Sequence, residues 1–282
     1  MKKLMALCAS VFIITNAQAE TLYEVYAEAL TSDTPLIVTD YSTAELVKVA
    51  ANAFLATKIS FINAMAEISE VTGANVTQLA DAIGHDNRIG RRFLNAGIGF
   101  GGGCLPKDIR GFVARADELG VGSSLDFLKN IDEINLRRRG RVLDVATDEL
   151  GELAGKRIAV WGLAFKPDSD DIRDSPALDI VESLARAGAH VVAADPQASI
   201  PAAKRIGAAG LSGQVSVSDD YLGAAAGVDA IVVATEWKAF QEVDPKAIAS
   251  VVANKLVIDG RNCLDADAWK AAGFTYRGMG RS

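Results

Sequence analysis

The spacing of apolar and polar residues predicts helices in the first half of the chain. From Ser42 to about Val71 there is no glycine or proline, and apolar residues recur every three to four positions, which predicts one long, well-buried helix. Shorter helical patterns follow at 75–83 and after Asp108, and a second long one runs from Ser123 to about Leu150. We therefore expect residues 21–150 to be almost entirely helical.

The pattern changes at Lys156, where apolar residues begin to come in short continuous runs separated by helical stretches. The runs lie in "KRIAVWGLAF", "HVVAADP", "VDAIVVATEW" and "NKLVIDGRN", and such runs are typical of parallel strands covered on both faces. Residues 151–282 are therefore predicted to form a Rossmann-like parallel sheet, and the fold class is α/β. Ligands bind such sheets beyond the carboxyl ends of the strands, where Gly162 to Lys166, Asp195 and Asp259 to Arg261 fall.

The first twenty residues form a separate segment. Lys2 and Lys3 precede an apolar run from Leu4 to Ile14, and Ala17-Gln18-Ala19 follows it, which is the layout of a secretory signal peptide. The run is too short to span a membrane. The alternative is an apolar strand or helix at the start of a shortened chain. The first interpretation predicts export, and the second does not.

Composition and charge exclude several classes of function. The chain has 282 residues, of which 50% are hydrophobic and 23% are charged, which is typical of a globular protein. A net charge of −7 offers no basic field to nucleic acid. Cys8, Cys104 and Cys263 are too scattered for a disulfide framework or a zinc site, and neither histidine has a partner at ligand spacing. We expect no bound metal, no nucleic-acid partner and no membrane partner.

A glycine-rich stretch, "GFGGGCLPKD", occupies residues 99–108, and with Gly97 it matches the pattern G-x-G-x-x-G. A dinucleotide-binding fingerprint needs a strand before this pattern and a helix that opens at its third glycine. No buried strand is predicted before Gly97, and Pro106 and charged residues follow the glycines. We therefore interpret the stretch as a loop that lets a substrate approach closely.

The glycine stretch ends at Cys104, for which two interpretations stay open. A free cysteine is often an inert, buried thiol. The flanking glycines, Lys107 and Asp108 instead give access, a positive neighbour and a carboxylate, which a nucleophilic thiol requires. Cys263 has no such surroundings, and we expect it to pack.

Four segments carry a resemblance to a known family. They are "AELVKVAANAFLATKISFIN", "IGHDNRIGRRFLNAGIGFGGGCLPKD", "WGLAFKPDSDDIRDSP" and "VIDGRN". In their order and spacing they resemble the UDP-glucose/GDP-mannose dehydrogenase family, over nearly all of the chain from about Thr21. The resemblance implies a cytoplasmic homodimer that oxidises the C6 alcohol of UDP-glucose to the carboxylate of UDP-glucuronate in two steps, with NAD as cofactor. It also implies a helical dimerisation domain at 21–150 and a UDP-sugar-binding domain at 151–282.

The same resemblance implies a role for individual residues. Cys104 would be the nucleophile, forming a thiohemiacetal and then a thioester, with Lys48 and Asn52 steadying the oxyanion and Asp108 helping to activate water. Lys107 and Arg173 would contact the NAD cofactor. The implied substrate-binding residues are Arg88, which would serve the neighbouring subunit, and Phe100, Gly101, Phe165, Lys166 and Arg261.

The chain departs from the family pattern at its start. Family members begin with a complete dinucleotide-binding domain, and residues 1–20 instead form the signal-like or truncated segment. We therefore expect the chain to bind UDP-glucose but to turn over poorly. Two alternatives stay open: a non-catalytic nucleotide-sugar-binding protein, and a dehydrogenase of another nucleotide sugar such as a UDP-N-acetyl sugar or GDP-mannose.

Overall fold

The computed structural model describes residues 12–15, 19–30 and 35–281. The chain forms two compact units, residues 1–54 and 55–282. The first unit contains strands β1 (Phe12–Thr15) and β2 (Leu36–Thr39), which pair in parallel, and helix α1 (Ala19–Leu30) connects them. Helix α2 (Tyr41–Thr72) begins in this unit and continues into the second.

The start of the chain adds two short strands to the predicted elements. Strand β2 lies inside the predicted helical region 21–150 and has 4 residues, "LIVT", of which Ile, Val and Thr favour strands. Strand β1 overlaps the end of the apolar run of the signal-like segment. Residues 1–11 and 16–18, with the two lysines and most of the predicted cleavage site, lie outside the described residues.

The second unit opens with a helical layer. Its members are the rest of α2, α3 (Val76–Gly84), α4 (Leu105–Glu118) and α5 (Asp126–Leu150), and a 3₁₀ turn at Gly122–Leu125 leads into α5. Helix α2 packs along α5, where the Ser60 hydroxyl donates a hydrogen bond to the carbonyl of Ile131 at 2.8 Å. Helix α2 is also long and apolar enough, by length and composition, to cross a membrane.

Helix α4 begins earlier than predicted. The sequence indicated a helix after Asp108, whereas the structure starts it at Leu105 with Pro106 in the first turn. Proline has no N–H to lose at that position, and its fixed φ suits a helix start. The consequence is that Cys104, Lys107 and Asp108 belong to a helix N terminus and not to a loop.

A six-stranded parallel sheet forms the rest of the second unit. Its strands are β3 (Arg157–Trp161), β4 (His190–Ala194), β5 (Val215–Ser218), β6 (Ala230–Val233), β7 (Leu256–Asp259) and β8 (Thr275–Gly278), in the spatial order β5-β4-β3-β6-β7-β8. The connecting helices are α6 (Pro176–Arg186), α7 (Ser199–Ala208), α8 (Tyr221–Ala224), α9 (Lys238–Gln241), α10 (Pro245–Ala249) and α11 (Ala266–Ala271). This architecture confirms the predicted α/β class.

Two apolar clusters cover the two faces of the sheet. One joins the sheet to α6, α7 and the second half of α5, where Val142 and Ala146 are fully buried. The other surrounds Trp161, whose ring lies 5.6 Å from that of Phe240 and 6.4 Å from that of Trp269, centroid to centroid. Helix α5 therefore packs on α2 and also on the sheet, which brings the glycine loop of the helical layer to the sheet.

Candidate active site

The glycine loop, residues 97–103, is held from two sides. On the side of α5, the Asn135 side chain accepts a hydrogen bond from the Phe100 N–H at 2.7 Å and donates one to the Phe100 carbonyl at 3.0 Å. On the side of the sheet, the Ile98 N–H donates to the carbonyl of Gly260 at 2.9 Å, and the Gly102 N–H to that of Arg173 at 2.8 Å. The loop thus lies between the helical layer and the strand ends.

The glycines of this loop are required by the protein around them. A Cβ on Gly97 would lie 2.6 Å from the carbonyl oxygen of Gly260, and one on Gly101 would collide with that of Asp174. A Cβ on Gly102, whose φ is +86°, would lie 2.7 Å from the Phe165 ring. The expectation that the glycines clear space for a substrate is therefore wrong for these positions, because protein atoms fill that space.

The G-x-G-x-x-G pattern is not a phosphate cradle here. The residues before Gly97 form turns, as expected, although a helix does open at Leu105, three residues after the last glycine of the pattern. Because the spaces beside Gly97 and Gly102 are occupied, a pyrophosphate cannot approach the backbone as it does in a dinucleotide fingerprint.

Cys104 is the N-cap residue of α4, and its side chain is exposed. The N terminus of a helix favours negative charge, because its N–H groups and dipole point toward the cap. Asp108 lies one turn further along and is buried, and its carboxylate is 3.3 Å from the Lys107 ammonium. The structure therefore places a thiol, a carboxylate and an ammonium group on the first turn of one helix.

Arg173 lies beside Gly103, since a Cβ on that glycine would be 2.7 Å from the guanidinium carbon. Its Nε and Nη2 donate to the Asp171 carboxylate at 2.9 and 2.6 Å. These hydrogen bonds hold the pKa of Asp171 below its usual range. Asp171 in turn raises the pKa of Arg173, and the Cys104 thiol adds to this effect. Arg173 is thus a cation next to the exposed thiol.

Phe165 and Lys166 follow strand β3. The Lys166 ammonium lies 5.4 Å from the centre of the Phe165 ring, and the Phe165 N–H donates to the carbonyl of Asp171 at 3.1 Å. Through its contact at Gly102, the Phe165 ring reaches the glycine loop. The structure therefore brings Phe165, with Lys166 beside it, to the glycine loop, where Arg173 also lies.

Arg261 follows strand β7, and its side chain contacts the same glycine loop. Its Nη1 donates to the carbonyl of Gly99 and its Nε to that of Ala234, both at 2.8 Å, and Nε lies 3.4 Å from the Glu236 carboxylate. Its Nη2 is buried and has no hydrogen-bond partner. A guanidinium with one unused donor at a strand end can still bind an anion.

Three further predicted residues lie on the turn after α3 and on helix α2. Arg88 is exposed in the turn after α3, where its Nη2 donates to Asp86 at 2.7 Å, and this pair raises the pKa of Arg88. Lys48 and Asn52 lie one turn apart on α2, in the first unit, with Lys48 exposed and Asn52 buried. Within the described residues, no group of three or more His, Cys, Asp or Glu side chains could hold a metal ion.

Two buried side chains that support the loop were missed from the sequence. Asn135 and Arg139 of α5 both bind Phe100, and the sequence predicts only the long helix that contains them. Asp195, at the end of β4, is fully buried and accepts hydrogen bonds from the N–H groups of Leu163 and Ala164 at 2.7 and 3.1 Å. The sequence places Asp195 at a strand end, but these hydrogen bonds to the loop after β3 were not predicted.

Comparison with known proteins decides the family. The central-domain model of the UDP-glucose/GDP-mannose dehydrogenase family matches residues 42–137, and the UDP-binding-domain model of the same family matches residues 159–266. The chain belongs to the UDP-glucose/GDP-mannose dehydrogenase family. The resemblance of the sequence to this family is thus confirmed, and so is the order of a helical part followed by a parallel-sheet part.

Individual members of this dehydrogenase family agree. The UDP-glucose 6-dehydrogenase TuaD of Bacillus subtilis is 42% identical over 88% of this chain and 52% of the relative. The UDP-glucose 6-dehydrogenase of Pseudomonas aeruginosa is 38% identical over 93% of this chain and 58% of the relative. The chain spans somewhat more than half the length of these relatives.

Solved structures of the family share the fold. A UDP-glucose dehydrogenase from Pyrobaculum islandicum has a TM-score of 0.80 and 32% identity, over 94% of this chain and 56% of that one. A UDP-D-ManNAc dehydrogenase from Pyrococcus horikoshii has a TM-score of 0.73 and 30% identity, over 94% of this chain and 57% of that one. Family members named for different sugars thus share this architecture.

Proposed function

We propose that this chain carries the substrate and nucleophile part of an NAD-dependent UDP-glucose 6-dehydrogenase, which oxidises UDP-glucose to UDP-glucuronate. The observation that carries the proposal is Cys104: an exposed thiol at a helix N terminus, next to a loop that contacts Phe165, Arg173 and Arg261. The names of the curated relatives support glucose as the sugar.

In this proposal the thiol holds the sugar carbon during the reaction. Cys104 would add to the C6 aldehyde, so that the sulfur bonds to the carbon and the aldehyde oxygen takes up the proton of the thiol, giving a thiohemiacetal. The later thioester, whose formation requires loss of a hydride from this adduct, and its hydrolysis by water with the help of Asp108 rest on the family resemblance. Lys48 and Asn52 keep the role of steadying the oxyanion, which rests on the family resemblance. The charges on the first turn of α4 support the roles of the thiol and of Asp108.

The cofactor is the part of the proposal with the least support from the described residues. NAD would supply the hydride acceptor, and Lys107 and Arg173 are exposed cations near Cys104 that could contact it. The glycine pattern cannot cradle its pyrophosphate, because protein atoms occupy those positions. The described residues therefore do not fit NAD as a complete site, and we derive no step through it.

Substrate binding is proposed at the strand ends. Lys166 and Arg261 would meet the diphosphate, since both are cations at the carboxyl ends of β3 and β7. Phe165, Phe100 and Gly101 would line the path from the nucleotide to Cys104, and the contact of the Phe165 ring with the neighbouring Gly102 supports this. On this basis we assign 21–150 to a dimerisation and catalytic domain and 151–282 to a UDP-sugar domain.

The homodimer is proposed on the surface of α2. Phe54, Phe61 and Ile68 recur every seven residues, and they are 66%, 47% and 55% exposed. An apolar row of this spacing on one helix suits packing against a second copy. Arg88 would then serve the partner's site, and light scattering should report a dimer at micromolar concentration. A monomer at this concentration would contradict the proposed homodimer. We propose the cytoplasm as the location of the protein.

Two measurements separate the proposal from its alternatives. Calorimetry with UDP, UDP-glucose, UDP-N-acetylmannosamine and GDP-mannose should show the tightest binding for UDP-glucose. Preference for another nucleotide sugar would instead favour the second dehydrogenase alternative, since a relative named for UDP-D-ManNAc shares the fold.

The second measurement is NADH formation with UDP-glucose and NAD. Residues 1–282 should form negligible NADH, because the described residues offer no pyrophosphate cradle. Robust NADH formation would reveal a cofactor site that these residues do not show. In a complete enzyme that contains these residues, Cys104→Ser should stop the reaction before the carboxylate. Normal UDP-glucuronate formation by that variant would favour a non-catalytic role for the thiol.

A further inference from the structure

Helix α5 presents two buried polar side chains to the glycine loop. Asn135 and Arg139 lie four residues apart, and therefore on one face of the helix. Asn135 is fully buried, and Arg139 is 7% exposed. Both bind the backbone of one residue, Phe100, which lies four positions before Cys104.

The Asn135 amide replaces a neighbouring strand. Its oxygen accepts from the Phe100 N–H at 2.7 Å and its nitrogen donates to the Phe100 carbonyl at 3.0 Å. One residue in a hydrogen-bonded pair of an antiparallel sheet receives the same two bonds. A carboxylate of the same size could accept the N–H but could not donate to the carbonyl, whereas the amide does both. The loop at Phe100 is thus held at two points by a single side chain.

The loop is shaped to receive this amide. Gly99 has a φ of +91°, a conformation that side chains rarely adopt, and a Cβ there would lie 2.5 Å from the Asn135 side-chain oxygen. The residue before Phe100 therefore must lack a side chain for Asn135 to reach its two partners. The fit between Gly99 and Asn135 is mutual.

Arg139 extends the connection to the sheet. Its Nη2 donates to the Phe100 carbonyl at 3.0 Å, and its Nη1 donates to Asp174 at 2.8 Å and also to Asp179 of α6. The Phe100 carbonyl thus accepts from both side chains of α5. Because Asp174 follows Arg173, the same network reaches the cation beside the thiol.

We propose that Asn135 is a positioning residue that fixes Phe100 and thereby sets the place of Cys104 relative to the nucleotide-binding strand ends. It acts through the backbone and touches no reacting atom. The role of Cys104 in this inference rests on the proposed function. In the proposed function the strand ends hold the UDP and the loop meets the sugar. Loss of the Asn135 side chain should therefore weaken the binding of UDP-glucose, whereas the affinity for UDP should not change.

The test combines amide exchange with ligand affinity. In Asn135→Ala, hydrogen exchange followed by NMR should accelerate at the Phe100 and Gly102 amides. The Gly97 amide should stay protected, because Asn63 holds it through a separate bond of 2.8 Å. The matched control, Asn63→Ala, should show the reverse pattern. Acceleration throughout the protein, or none at Phe100, would overturn the proposal.

The ratio of the affinities for UDP-glucose and UDP provides a second readout, because a purely structural role of Asn135 would lower both affinities alike. Asn135→Asp keeps the size and the acceptor but cannot donate to the Phe100 carbonyl. We expect its affinity for UDP-glucose to fall about tenfold, and its affinity for UDP to stay within about twofold of the unchanged protein. Equal losses for the two ligands would overturn the positioning role.

Two further results keep the proposal separate from the proposed function. If the unchanged protein binds no nucleotide sugar, the proposed function fails, and amide exchange alone decides whether Asn135 holds the loop. If neither Asn135 variant folds, Gly99→Ala probes the same contact from the loop side and should reproduce the selective loss. A poorly protected Phe100 amide in the unchanged protein would overturn the proposal without any variant.

Discussion

The sheet part and the helical part of the second unit are stabilised by different means. The sheet is covered on both faces by apolar clusters that contain large, fully buried side chains such as Trp161 and Phe240. The helical layer has a small cluster of its own, formed by Ile62, Ala66, Val76, Ala80, Leu94 and Ala96. Apolar burial is the main source of stability, so the sheet part can support itself more fully than the helical part.

Ion pairs join α2 and α5. Arg137 pairs with Glu67 at 3.0 Å, and Arg138 and Arg141 pair with Glu70 at 3.1 and 2.8 Å. The pair of Arg137 with Glu67 is the most exposed, and pairs of that kind contribute about 0–1 kcal/mol each. Meanwhile large apolar side chains on α2 stay exposed. The stability of the helical part therefore depends on its packing against the sheet and, in our proposal, on a second copy of the chain.

The largest expected effect on the free energy of unfolding comes from removing one large apolar side chain from each part. Trp161→Ala should lower the free energy of unfolding by about 3–5 kcal/mol, because the ring is fully buried among Tyr221, Phe240 and Trp269. Phe61→Ala on α2 should cost less than about 1 kcal/mol in the monomer, since its side chain is 47% exposed. Urea unfolding at low protein concentration measures both values, and equal losses would contradict the comparison.

A smaller effect is expected at Asp195. Asp195→Ala should lower the free energy of unfolding by about 2–4 kcal/mol, because it leaves the buried N–H groups of Leu163, Ala164 and Trp237 without an acceptor. The control is Asp265→Ala, which removes an exposed helix cap and should cost about 1 kcal/mol. If the two variants lost the same amount, the strand-end carboxylate would not organise the loop after β3.

A change in ligand affinity at the strand ends sharpens the contrast. Replacing Lys166 and Arg261 together by alanine should weaken UDP binding by about tenfold or more, through loss of two cations at the strand ends. The matched control replaces Arg186 and Lys270, which are exposed cations of the same part. Unchanged UDP affinity in the first double variant would remove the diphosphate from this position.

The smallest effect concerns stability at high pH. Burial raises the pKa of Tyr276 and of Cys263, with the Asp259 carboxylate adding to both. A raised folded-state pKa gives stability that is complete below the unfolded pKa and is lost as pH rises above it, from about pH 9 for the thiol and about pH 10 for the phenol. The free energy of unfolding should therefore decrease less from pH 7 to pH 10.5 in Tyr276→Phe than in the unchanged protein. An unchanged pH dependence would contradict the assignment.

Regular elements could be predicted from the sequence because their periodicity is local. Helices α2, α3 and α5 and four of the sheet strands follow directly from apolar spacing. Strands β5 and β8, "VSVS" and "TYRG", were not predicted, because they are short edge strands that alternate polar and apolar residues. Strand β2 was not predicted either.

The site could be predicted only in part. Family resemblance pointed to the loop and to Cys104, and the structure brings Phe165, Arg173 and Arg261 to that loop. The role of the glycines was misjudged, because the atoms that fill their space come from residues distant in sequence, such as Asn135 and Gly260. Long-range packing of this kind leaves no local signal.

In the proposed function Cys104 faces the bound nucleotide sugar, and alkylation of the thiol tests this directly. Iodoacetamide should modify the exposed Cys104 before the partly buried Cys263, and mass spectrometry distinguishes these two sites from each other and from Cys8. Saturating UDP-glucose should slow modification of Cys104 by about tenfold or more, whereas UDP alone should slow it much less. Equal modification rates with and without UDP-glucose, under conditions in which calorimetry shows the sugar bound, would contradict the account.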